Sequence, residues 1–195
     1  NANVAPAPVV AKTQEKTEPE KEDDDEPKIE APWMKTAMNE IGQKEIPGAE
    51  KANPRIMEYF KAARGKWFKD DSEKGCAWCA AFISWVMRQH GYSPPNAAWA
   101  ALSWMNFGKP VSKPTYGAIG VKSRGNGLGH VALVVGQSQD GKSLYMLGGN
   151  QGDKVCITPY KREDWLKFVV PSDYDAKNDI LPIYDGEAST SSKED

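Results

Sequence analysis

The chain has 195 residues and a net charge of -2, with 39% hydrophobic and 10% aromatic residues, the size and make-up of one folded domain with tails. No apolar run approaches the ~18 residues of a membrane span, and three cysteines, an odd number, argue against a disulfide-built scaffold. The charge is unevenly spread: residues 1–32 hold nine acids against four lysines and residues 176–195 five against two, so a basic body lies between acidic ends. A basic body suits an anionic polymer such as nucleic acid, cell-wall glycan or a membrane surface. Without an Arg/Lys stripe interleaved with aromatics, nucleic acid is the weaker choice.

Residues 1–31 are rich in Ala, Pro, Glu and Lys and contain no aromatic residue. They cannot bury enough apolar surface to offset ordering entropy, so a disordered acidic linker is expected there. The chain opens on Asn1 and not Met, as a processed or excised form does. Trp33, Met34, Ala37, Met38 and Ile41 then recur at helical spacing behind Pro32. Asn53 is a cap for a second helix, with Pro54 at its first position. A charged loop precedes CAWCAAFISWVMRQHGY, a third helix closed by Gly91 and the Pro94-Pro95 pair. NAAWAALSWMNFG reads as a short fourth helix.

After Pro114 the pattern changes. GAIGVK, HVALVVG, SLYMLGG and KVCITPY are short and β-rich, separated by Gly, Asn and Asp. Helices first and strands second predict an α+β domain, helices packed on an antiparallel sheet. The expected boundaries are a tail at 1–31, the domain at 32–172 and a flexible C-terminal tail at 173–195. The loop SRGNGLG before His130 is either a mobile rim of a cleft or an ordinary connection.

Cys76 and Cys79 allow several readings. A zinc site with Cys156 and a histidine would lack the second close ligand pair of zinc ribbons and fingers. A thioredoxin-like redox pair should follow a strand, whereas a hydrophilic loop comes first. Cys79 shares a helical face with Phe82, Ile83 and Val86, so it could be a small core residue. It also falls in the first turn of its helix, where unpaired N–H groups and the helix dipole stabilise a thiolate. Cys76 lies a turn earlier and receives less of that field.

A thiolate nucleophile needs a base, and the chain has only His90 and His130. His90 lies near the far end of the helix that Cys79 opens, too distant to reach it, and suits a C-terminal capping role. His130 opens the strand HVALVVG. A turn centred near residue 140 would set His130 opposite Asn150. There the Asn150 amide oxygen could take the Nδ1 hydrogen and leave Nε2 free as the base. The plainer alternative for Asn150 is a turn residue in GGNQGD.

The order of Cys at a helix start, His at a strand start and Asn after the next strand resembles papain-like cysteine peptidases. It is most similar to the CHAP family (cysteine, histidine-dependent amidohydrolases/peptidases) and the NlpC-type peptidases. Four motifs carry this resemblance: N-P-R-I at Asn53–Ile56, W-C-A-A-F at Trp78–Phe82, G-H-V at Gly129–Val131 and L-G-G-N-Q at Leu147–Gln151.

The resemblance implies a papain-like fold with Cys79 as nucleophile, His130 as base and Asn150 as orienting residue, and makes the neighbouring Trp78, Gly129 and Gln151 expected substrate contacts. Many CHAP enzymes carry a glutamate two positions before that asparagine; here the position is Gly148. The implied activity is hydrolysis of peptidoglycan amide bonds, by a stem-peptide endopeptidase or an N-acetylmuramoyl-L-alanine amidase, without cofactor or metal. Such proteins serve as lysins, autolysins or toxins delivered into rival cells. A secreted, periplasmic or wall-associated monomer is expected, with peptidoglycan as its partner and an immunity or delivery protein as a further one. The rival expectation is a non-catalytic wall-binding module of the same fold.

Overall fold

The computed structural model describes residues 27, 29–48, 51–63, 78–186 and 188. Three short helices come first: α1 (Trp33–Met38), α2 (Pro54–Ala62) and α3 (Cys79–Gln89), followed by a 3-10 turn at Ala101–Asn106. Six strands follow: β1 (Lys109–Val111), β2 (Ile119–Gly125), β3 (Leu128–Gln137), β4 (Ser143–Gly148), β5 (Cys156–Lys161) and β6 (Trp165–Val170). They form one antiparallel sheet in the order β1-β6-β2-β3-β4-β5. The α+β expectation is met. The most N-terminal residues, expected as a linker, lie outside the described residues up to Glu26, as does Cys76.

Local chemistry sets the helix ends. Asn53 Oδ1 accepts the Arg55 N–H at 2.9 Å, and Pro54 takes the first helical position, where a missing N–H costs nothing. Ile56 of the same motif is buried, and Arg55 Nε reaches Glu40 Oε1 at 3.1 Å, so N-P-R-I is a capping and anchoring device. α3 closes at a Schellman motif: Gly91 at φ 78° donates to Arg88 O and Tyr92 N–H to Met87 O. His90 is the C-cap, with its Nε2 at 2.7 Å from Thr36 Oγ1. α1 is shorter than its apolar spacing predicts. It ends at Met38, and Gly42 at φ 98° turns the chain away, leaving Ile41 exposed.

Alternation along the strands divides the core in two. Val131, Leu133 and Val135 of β3 join Phe82, Ile83 and Val86 of α3 on the helix side. Ala132 and Val134 face the other way, with Met146 and Trp165. Leu133 pairs with Leu147 and Val134 with Met146, the register expected from a turn near residue 140, before a bulge shifts the remaining pairs. The helix expected at residues 96–108 is a 3-10 turn, and β1 and β6 are additional strands.

The SRGNGLG segment is a β-hairpin tip: β2 and β3 pair down to Gly125↔Leu128, and Asn126 and Gly127, both at positive φ, make a two-residue turn. Residues 173–186 run back along the body, where Ile180 O accepts from Tyr116 N–H, Pro182 O from Gln137 N–H, and Tyr184 N–H donates to Gln137 O. The Tyr174 hydroxyl donates to Asp179 Oδ2 and accepts from the buried Ala31 N–H, tying both flanks of the domain together.

Candidate active site

Cys79 is the first residue of α3, behind Trp78 at the N-cap. The N-cap makes no side-chain hydrogen bond and no acidic residue stands in the first turn, so the backbone N–H groups of this helix start favour a negative sulfur there. The thiol is free of any disulfide and 1% exposed. The adjacent Trp78 is locked in place: its Nε1 donates to Glu45 Oε1 at 2.7 Å and its ring stacks on Tyr59 with centroids 6.0 Å apart.

His130 is the third residue of β3 and 2% exposed. It follows Ala132 and Val134 in the alternation, and its ring lies among Gln151, Tyr160 and Trp165. Its Nε2 is 3.0 Å from Gln151 Oε1, and that oxygen also accepts the Tyr160 hydroxyl at 3.0 Å. The amide is oriented by its other end: Gln151 Nε2 donates to Met146 O and Cys156 O at 3.2 and 2.7 Å. With the NH₂ group committed to two carbonyls, the oxygen faces the imidazole, an arrangement that favours the tautomer with its hydrogen on Nε2.

The turn after β4 touches both elements, α3 on one face of the sheet and the His130 ring on the other. Gly149, just past β4, packs on the first turn of α3: a Cβ there would lie 2.8 Å from Phe82 Cβ and from the Trp78 ring. Gln151 reaches the imidazole from the other side of the turn. Asn150 stands between them at φ 55°, a left-handed conformation that Asn tolerates better than most residues. It is buried, but the described bond from Nε2 goes to its neighbour Gln151. Gln151, one residue beyond the expected orienting residue Asn150, is the amide whose oxygen meets Nε2.

The three expected substrate contacts take internal places. Trp78 and Gln151 are buried, at 1% and 0% exposure, because each is consumed by bonds inside the domain. Gly129 makes room for the 3-10 turn; a Cβ there would lie 2.7 Å from Leu102 Cδ2 and 2.8 Å from Lys122 O. Tyr160 and Trp165 were not anticipated. Lys122, opposite His130 on β2, sets its ammonium 5.0 Å from the Tyr160 ring centroid and brings positive charge to the site. The signal for Tyr160 was its place in KVCITPY, but no short-range pattern tells that its hydroxyl reaches residue 151. Cys156, considered as a zinc ligand, donates its S–H to Gln151 O at 3.2 Å. Among the described residues no three His, Cys, Asp or Glu side chains cluster as metal ligands would, and no helix is long and apolar enough to cross a membrane.

Residues 71–150 match the family model for the CHAP domain, the family that the four motifs indicated. The six-stranded antiparallel sheet with its few helices is compatible with that domain. CHAP domains are in general peptidoglycan hydrolases. No curated protein and no solved structure matches the chain.

Proposed function

We propose that this protein cleaves amide bonds of peptidoglycan by a papain-like thiol mechanism, with Cys79 as nucleophile and His130 as base. The observation that carries the proposal is the turn at residues 149–151, which packs against the first turn of α3 at Gly149 and holds the His130 ring at Gln151. In the reaction the Cys79 sulfur bonds to the amide carbonyl carbon while His130 Nδ1 holds the thiol proton. That proton passes to the leaving amine as the C–N bond breaks. Water then adds to the thioester, the acid product leaves and the thiol is restored. Backbone N–H groups at the start of α3 stabilise the oxyanion in both steps.

The bond is that of a stem peptide or the lactyl–L-alanine amide. The working place is the wall or periplasm, reached by secretion or by delivery into another cell, where peptidoglycan is the partner and a cognate immunity protein a further one. The experiment is incubation of purified sacculi with the protein and its Cys79→Ala variant, followed by assay of new free amines and mass spectrometry of the products. Free stem peptides starting at L-Ala identify an amidase; cut stems still on muramic acid identify an endopeptidase. Wall that is bound but never cut by the parent protein overturns the proposal in favour of a binding module.

A further inference from the structure

We infer that Gln151 is the positioning residue of His130 and that Gly148 is the gap that admits it. This rests on the proposal that His130 is the base. The Oε1 of Gln151 meets the ring at Nε2, and the amide cannot turn over because its NH₂ group serves Met146 O and Cys156 O. Tyr160 adds a second donor to the same oxygen, and Trp165 lies beside the imidazole. His130, Gln151 and Trp165 are buried and Tyr160 partly so, a setting in which a fixed acceptor holds one tautomer more firmly than water would.

The space for the amide comes from residue 148. A Cβ there would lie 2.5 Å from Gln151 Oε1, 2.9 Å from its Cδ and 3.0 Å from Ala132 Cβ. Position 148 and the Gln151 amide therefore compete for one volume, and the glycine resolves it in favour of the amide. The left-handed Asn150 makes the approach possible, because it turns the chain back so that residue 151 reaches the sheet beside residue 148.

The test reads the imidazole directly. In ¹⁵N-histidine protein, with His90→Gln to assign the second ring, the neutral His130 is expected to show a protonated Nε2 and a bare Nδ1. Gln151→Leu removes the acceptor, and Gly148→Ala displaces it while keeping the glutamine. Both are expected to give mixed tautomers, with kcat on solubilised wall fragments down on the order of 10–100-fold and KM little changed. A folded Gln151→Leu protein with an unaltered Nε2–H tautomer overturns the inference. Should that variant fail to fold, Gly148→Ala decides: an unaltered tautomer with full kcat is equally fatal. A parent protein that cuts no wall defeats the hydrolase proposal, while the tautomer still decides the role of Gln151.

Discussion

Gly149 lies flat against Trp78: a Cβ on the glycine would come within 2.8 Å of the indole Cε3 and Cζ3 atoms. Its φ is not positive, so an alanine there is opposed by space alone. Gly149→Ala must push the first turn of α3 off the sheet end. The expected cost is about 1–3 kcal/mol of overpacking, read as a lower melting temperature, together with a loss of wall cleavage larger than the stability loss explains. A variant with unchanged melting and turnover would show that the contact positions nothing.

Cys79, and not Cys76, is expected to carry the activity, since Cys79 occupies the first position of α3. Cys79→Ala and Cys79→Ser should both release no amines from sacculi, while Cys76→Ala keeps turnover within a few-fold of the parent. The reverse pattern would move the nucleophile.

His130→Ala should lose about 10²–10⁴ in rate, the usual worth of a base. Asn150 is a different case, because its left-handed φ asks for Asn or Gly. Asn150→Gly should fold and keep most of its kcat, whereas Asn150→Ala should melt earlier by about 1 kcal/mol of backbone strain. If Asn150→Gly is as impaired as His130→Ala, the Asn150 side chain itself takes part in the chemistry.

The C-terminal segment should be needed for stability. A chain ending at Ser172 loses Ile180 O and Pro182 O as acceptors for Tyr116 and Gln137, and the Tyr184 ring that packs 4.7 Å from that of Tyr145. Leaving two N–H groups without partners costs about 2 kcal/mol or more, which is about 4–8 °C in the melting temperature of a chain this size. Unchanged calorimetry on the shortened chain would contradict the packing described.

Burial, the Glu40 carboxylate and the hydrogen bond to it hold the Tyr59 phenol well above its ordinary value. An unfolded phenol ionises near 10, so above that pH the unfolded chain has lost a proton that native Tyr59 keeps. Stability should therefore fall as pH rises past 10. Tyr59→Phe should flatten that part of the curve in urea titrations at pH 9 to 11; an equally steep fall would mean other groups cause it.

Much of this protein is written in short-range patterns. Asn53-Pro54 sets a helix start and Gly91 a helix end, since a cap and a left-handed turn involve only neighbouring residues. Alternation and the Asp140-Gly141 turn set the first β3–β4 pairs for the same reason. Cys79 and His130 stand out in the sequence because a helix start and the first residues of a strand are local events. Tertiary structure alone decided the rest. Whether Asn150 or Gln151 faces the imidazole depends on a reversal at φ 55° and on the space left by Gly148, and Tyr160 enters from a strand 30 residues away in sequence. The C-terminal segment looked like a tail because its composition is polar. It is held by backbone groups of Tyr116 and Gln137, and such bonds leave no mark in side-chain composition.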